Sequence, residues 1–439
     1  MGMGRVGEAA DGEAIPTAAP RDRVRDRALA VVQDPVNVLG VVLLLAFVVR
    51  GIWLDQPPGG LIWDEAYYVN AARVIDGLPV PPQDHYADAP AGIDPNAEHP
   101  PLGKVVIATS ISLLGDGPLG WRLPSIVAGM LVLFAFYGIV RGAGAGTWLA
   151  ILALALLAFD NLTFVHGRIA TLDILVLAPM LVGAWLASRG RWALAGVAVG
   201  IALLVKLTAI FAALALALFL LIELASGRRD RALVRRTVKR GGIFVVPMLI
   251  VWLVGLWALD LRYTTFTSPV DHLRHMLTYG ANLEQVDRSR GVGCTGSSEP
   301  WQWLINECQL GYFKVTENPT DDPSVTRTTV EFRGALNAFL AGAMPLALTF
   351  AAWAAWKRRD PLATWATVWA AANYLPYVAL ALLSDRVMYL YYMLPVVPAV
   401  AAAIAVFLVR AGLPPVIRWA FIFLFAAGVI AYFPFRTVP

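Results

Sequence analysis

The run WALAGVAVGIALLVKLTAIFAALALALFLLIELA, Trp192 to Ala225, carries only two ionisable residues, Lys206 and Glu223. As one helix its roughly 34 residues would reach ~51 Å at 1.5 Å per residue. A bilayer core is ~30 Å thick and takes about 20 helical residues. Two helices, over 192–206 and 207–225, fit that thickness, with Lys206 at the break between them. The same length rule, applied outward between charge and Gly/Pro breaks, gives further spans at about 37–54, 121–140, 145–160, 169–187, 241–259, 335–356, 362–383, 387–409 and 414–433. The run Val105–Leu114 is too short to cross and reads as a helix lying in the interface.

Composition agrees. The chain is 58% hydrophobic and 15% charged, against about 45–50% and about a quarter for soluble domains. The expectation is an all-α polytopic membrane protein of about 11 transmembrane helices. Residues 1–36 are charged and Pro/Ala-rich, without the apolar core of a signal peptide, and read as a disordered cytoplasmic tail. Residues 37–439 form one integral domain.

Lys/Arg asymmetry sets the orientation. With the N-terminus in the cytoplasm, the short inner loops hold Arg141, Arg189, Arg191, the cluster Arg228 to Arg240, Lys357 to Arg359, Arg410 and Arg418. Two large segments, about 55–120 and 260–334, then fall outside. All five histidines and 22 of the 31 acids map to the outer side or its membrane edge. Any chemistry belongs on that face, and no nucleic-acid partner is expected. Cys294 and Cys308 share the second outer segment. An oxidising compartment favours a disulfide there, worth ~3 kcal/mol for a loop of about 15 residues; two free thiols are the plainer alternative.

Several motifs carry ionisable groups to the outer membrane edge. WDEAYY brings Asp64 and Glu65 directly after the first span. The pair reads as a solvated helix start or as a partly desolvated base, and the residues leave both open. In EHPPLGK, Pro100 and Pro101 fix a turn that either joins loop to helix or aims His99 and Lys104 at a ligand. Arg122 in GWRLPS either anchors to headgroups or holds a phosphate. In FDNLTFVHGRIATLDILVL, Asp160, Arg168 and Asp173 lie at or inside the membrane edge, where ionisable groups face a cavity or one another. Lys206 is a lone lysine in an apolar run. SDRVMYLYYMLP puts Arg386 at an outer helix start, followed by Tyr389, Tyr391 and Tyr392. An aromatic belt accounts for the tyrosines, and Tyr391 also joins the candidate substrate contacts. The sum is a cationic cluster at headgroup level, suited to a lipid phosphate, with an acid beside it.

In this order the motifs resemble the protein O-mannosyltransferases, the family 39 glycosyltransferases of the GT-C membrane fold. WDEAYY, HPPLGK, WRLPS, DNLTFVHGRIATLD, GIALLVKLTA, SPVDHLRHMLTY with PWQW, and DRVMYLYYMLP carry the likeness over about residues 37–410. The resemblance implies Asp64 as catalytic base with Glu65 beside it, and His99 in the first outer loop by the site. It implies Arg122, Lys206 and Arg386 on the phosphate of a polyprenyl-phosphate sugar, with Arg168 and Asp173 supporting. The implied reaction is inverting transfer of mannose to Ser/Thr hydroxyls of exported proteins. The chain departs from the family in having no MIR domain in its second outer segment, a bacterial-type feature, and in the looser form EPWQWLIN. The competing readings are a GT-C transferase acting on a lipid or polysaccharide, and a transporter of a lipid-linked sugar. The transporter fits poorly, because the charges lie at one face and not at the midplane. The sequence gives no clear metal or cofactor site, although Asp64 with Glu65 could hold a divalent metal.

Overall fold

The computed structural model describes residues 34–56, 60–226, 230–283, 297–317 and 327–433. Most of the expected tail lies outside them. The first helix, Pro35–Gly51, starts inside the expected tail boundary, because Asp34 caps it by accepting from the Val36 N–H at 2.8 Å.

Each expected span coincides with an apolar helix. Six are long and apolar enough to cross a membrane: Pro118–Gly142, Leu207–Ala225, Arg231–Tyr263, Ala338–Arg358, Pro361–Leu383 and Pro415–Tyr432. Pro35–Gly51, Thr147–Phe159, Leu172–Ser188, Trp192–Leu203 and Val397–Arg410 are shorter apolar helices. Leu102–Leu114 is the short helix expected in the interface. The helices Arg231–Tyr263 and Pro415–Tyr432 expose Val246, Ile250, Val254, Phe423 and Ile430. A band of that size needs an apolar solvent, and the chain is a multi-pass membrane protein.

The run of 192–225 is broken as its length demands. Helix Trp192–Leu203 ends, Lys206 is extended (φ −156°, ψ 137°), and a 3₁₀ turn at Leu207–Ala209 leads into Ile210–Ser226. Small residues allow close helix contact. A Cβ at Gly196 would lie 2.1 Å from the Phe244 carbonyl oxygen, so Trp192–Leu203 packs backbone to backbone on Arg231–Tyr263. The core is centred on Pro118–Gly142, Leu172–Ser188 and the almost wholly buried Val397–Arg410.

The helical fold carries one addition and one correction. Strands β1 (Leu310–Glu317) and β2 (Arg327–Gly334) form a small antiparallel pair within the second large segment. Their aromatic and β-branched residues favour a pleated ladder. The expected span at 387–409 begins late. Residues 384–389 are not helical, Leu390–Met393 is a 3₁₀ turn, and the α-helix starts at Val397. Pro395 and Pro398 explain the late start, since a proline disfavours helix in the residue before it and is tolerated only in a first turn. Arg386 therefore sits on a loop. Cys308 is disulfide-bonded; its expected partner, Cys294, lies outside the described residues.

Candidate active site

Asp64 and Glu65 stand side by side and do opposite things. Glu65 begins helix Glu65–Asp76 and is fully buried. Its Oε1 accepts from Arg122 Nε (2.9 Å) and the Ala170 N–H (2.7 Å), and its Oε2 from Arg122 Nη2 (2.8 Å) and the Ile62 N–H (2.7 Å). Four donors fill the roughly four lone-pair positions of a carboxylate. Glu65 thus has no room for an acceptor proton or a metal. Arg122, 1% exposed, is spent in the same way. Its Nη1 donates to the Leu54 (2.5 Å) and Gln56 (3.0 Å) carbonyls, and its Nη2 also to Gly60 (3.1 Å). All five guanidinium N–H groups are occupied, which corrects the expected phosphate contact. The pair ties the end of the first helix to the acid motif.

Lys104 is corrected for a similar reason. Wholly buried, it pairs with Asp94 at 2.7 Å and donates to the Asn96 and His99 carbonyls. Its three N–H groups hold the HPPLGK turn in shape. His272 fastens the same loop from the other side, 2.6 Å from Asp260 Oδ1 and 2.8 Å from the Ala97 carbonyl. Arg168 donates to the Ile52 and Trp53 carbonyls (2.9 and 3.0 Å) and stacks on Phe164 and Phe332. It supports the turn ahead of the acid motif. Asp160 is a helix cap, accepting from the Thr163 and Asn337 N–H groups.

The remaining candidates converge and keep spare bonding capacity. Among the described residues the half-buried Asp64 carboxylate has no hydrogen-bond or ion-pair partner. Burial, with Asp173 nearby and Lys206 only partly offsetting it, pushes its carboxyl up to about 7. Lys206 donates to Asp173 Oδ1 at 2.7 Å, and Asp173 Oδ2 is buried without a partner. The break at residues 204–206 is what turns this lysine out of the helix line. Its Nζ lies 5.7 Å from the Tyr391 ring centre. The Arg386 guanidinium packs against Gly280, where a Cβ would lie 2.8 Å from Nη1, and its Nε is buried and unbonded. The half-buried His99 lies 6.1 Å from the Tyr68 ring. Burial, reinforced by Lys206, Lys104 and Arg386, holds its imidazole well below the usual range, so it is neutral at pH 7.

Two groups at this site were not expected from sequence. Tyr312, on β1, lies 2.9 Å from His166 Nε2, and His166 Nδ1 lies 3.0 Å from Thr171 Oγ1. The signal for the strand was present in LGYFKVTE, where apolar or aromatic and polar residues alternate.

The structure also holds an apolar groove of about 810 Å³. Helices Leu102–Leu114, Pro118–Gly142, Leu172–Ser188 and Trp192–Leu203 form its walls, through residues such as Val106, Val127, Ala178 and Ile201. Gly103 and Val205, the sequence neighbours of Lys104 and Lys206, are among its lining residues.

The family profile described as Dolichyl-phosphate-mannose-protein mannosyltransferase matches residues 98–257. The chain is 25% identical to the Polyprenol-phosphate-mannose--protein mannosyltransferase of Corynebacterium glutamicum, over 82% of this chain and 79% of that one. The chain is similar to the protein O-mannosyltransferases. Its fold is the GT-C fold. The Saccharomyces cerevisiae protein O-mannosyltransferase Pmt1-Pmt2 complex bound to the sugar donor superposes with a TM-score of 0.66 at 11% identity, over 91% of this chain and 89% of that one. ArnT from Cupriavidus metallidurans bound to undecaprenyl phosphate gives 0.56 at 23% identity, over 89% of this chain. The chain spans 63% of the ArnT length. These two likenesses establish the fold.

Proposed function

We propose that this protein transfers mannose from a polyprenyl-phosphate-mannose donor to Ser/Thr hydroxyls of exported proteins, at a site on the extracytoplasmic face. The observation that carries the reading is the unbonded Asp64 carboxylate beside Lys206, with Lys206 and Arg386 both bearing on neutral His99, and none of these side chains saturated by the protein.

The donor phosphate lies against Lys206 and Arg386, which supply charge-assisted hydrogen bonds. Its polyprenyl chain runs into the apolar groove below Gly103 and Val205. Asp64 takes the proton of the acceptor hydroxyl. The oxygen bonds to the anomeric carbon as the bond from that carbon to the phosphate oxygen breaks, with inversion, and the electron pair leaves with the polyprenyl phosphate. General base assistance contributes ~10²–10⁴-fold, and fixed cations stabilise the charge developing on the leaving phosphate. A carboxyl at about 7 is suited to this work, since a base is most effective when its pKa lies near the working pH. Glu65, Arg122 and Lys104 hold the frame.

The test is to supply membranes containing the protein with labelled polyprenyl-phosphate mannose and a Ser/Thr-rich peptide. Label in the peptide supports the proposal. Label in a lipid or glycan fraction, with none in the peptide, would move the acceptor to that class.

A further inference from the structure

Trp63 precedes Asp64, and its φ of 51° lies in the left-handed region. That conformation is unfavourable for a bulky residue and persists only where the surroundings over-determine it. The restraint comes from a distant part of the chain. The Tyr312 ring packs on the Trp63 ring with centroids 5.4 Å apart.

Three features deliver Tyr312 to that place. Pairing of β1 with β2 passes from Gly311↔Arg333 to Phe313↔Phe332, leaving Tyr312 as the extra residue of a bulge. A bulge bends its strand and re-aims a side chain, and bulges gather next to active sites. Gly334 then makes room: a Cβ there would lie 2.4 Å from Tyr312 Cζ. Finally the phenol is tied to His166 at 2.9 Å, with the two rings edge-on at 88°. The result is a 5% exposed tyrosine, fixed on three sides, with Trp63 on the fourth.

We infer that Tyr312 is a positioning residue: its ring holds Trp63 in the left-handed conformation and so fixes the direction of the Asp64 carboxylate. The inference rests on the reading of Asp64 as the base. Its consequence is that the strand pair of β1 and β2 acts on the chemistry of a residue about 250 positions earlier. Without the ring, the Trp63–Asp64 turn relaxes and water reaches the carboxylate. The groups that bear on Asp64 are Asp173, Lys206, Tyr68, Tyr312, Tyr389 and Tyr391. Of these, only the Tyr312 ring is removed in the test.

Transfer from polyprenyl-phosphate mannose is measured for the full chain as wild type, Tyr312→Leu, Tyr312→Phe and Gly334→Ala, with kcat, donor KM and the acid limb of the pH profile. Tyr312→Leu is expected to lower kcat by about 10–100-fold, the scale of a small misplacement of a reacting group, with donor KM within about threefold of wild type. Its acid limb moves to lower pH as Asp64 becomes hydrated. Tyr312→Phe keeps the ring and loses less than Tyr312→Leu. Gly334→Ala displaces the ring without removing it and shifts the limb in the same direction, so the inference stands testable even if Tyr312→Leu fails to fold. Wild-type kcat in both Tyr312→Leu and Gly334→Ala would overturn the inference. So would a loss of kcat with an unmoved acid limb, or equal damage from Phe and Leu. An inactive wild type would overturn the reading of the site itself, and this inference with it.

Discussion

Arg122 and Glu65 form a closed pair in which every guanidinium N–H and both carboxylate oxygens are bound within the protein. Removing one partner of a buried ion pair strands the other, at about 3–5 kcal/mol. Glu65→Gln and Arg122→Lys are therefore expected to lower thermal stability. Lysine cannot reproduce the five-donor fork. The measurement is the unfolding temperature of the purified protein in detergent, beside that of Asp64→Asn, which should melt close to wild type. A stable Arg122→Lys protein that has lost only donor affinity would return Arg122 to the phosphate.

Lys206 and Arg386 are the proposed phosphate contacts, and among the described residues both keep donors to spare. Lys206→Met and Arg386→Gln each remove a hydrogen bond to a charged group, worth about 1.5–3 kcal/mol. Each should weaken binding of polyprenyl phosphate by about 10–100-fold at 1.4 kcal/mol per decade. Asp173→Asn should do the same more mildly, since the Lys206 ammonium loses its 2.7 Å anchor. Direct titration with polyprenyl phosphate checks all three. Unchanged affinity in both cation variants would place the phosphate elsewhere.

The pH dependence follows from Asp64. Its carboxyl is raised to about 7, and only the ionised form accepts a proton. The value of kcat/KM reports the free enzyme, so it should be low and proportional to hydroxide below pH 7, and level off above it. His99 contributes no limb between pH 6 and 8, because burial and neighbouring cations keep it neutral there. A profile flat from pH 5 to 8 would exclude Asp64 as the titrating base.

The groove offers a test that leaves the polar site untouched. Ala178 and Ala198 line it. Phenylalanine at either position fills groove volume, and overpacking where the wall is tight costs about 1–3 kcal/mol. Ala178→Phe is expected to raise KM for a long-chain donor while sparing a donor with a chain of one or two isoprene units. Equal effects on both chain lengths would take the polyprenyl chain out of this groove.

Much of this architecture was legible in the sequence, because membrane spans are one-dimensional signals. The break at Lys206 followed from length alone, and Asp64 and Glu65 stood out together as an acid pair at a membrane exit. What could not be read was occupancy. Glu65, Arg122 and Lys104 looked as available as Asp64, Arg386 and Lys206. The difference lies in partners such as the carbonyls of Leu54, Gln56 and Gly60, which meet Arg122 only across more than sixty positions. Lys104 likewise looked like a ligand group until Asp94 and the Asn96 carbonyl were seen around it. The strands were missed because a polar segment between long apolar runs read as loop, although LGYFKVTE and RTTVEFRG carry strand residues.

The measurement that bears most directly on the account is single-turnover mannose transfer at saturating donor, comparing Asp64→Asn with wild type and following bound polyprenyl phosphate in the same samples. With Asp64 as the proposed base, the variant's rate is expected to be lower by about 10²–10⁴-fold with donor binding retained. A wild-type rate in Asp64→Asn would contradict it, and the base would have to be sought among other groups of the pocket.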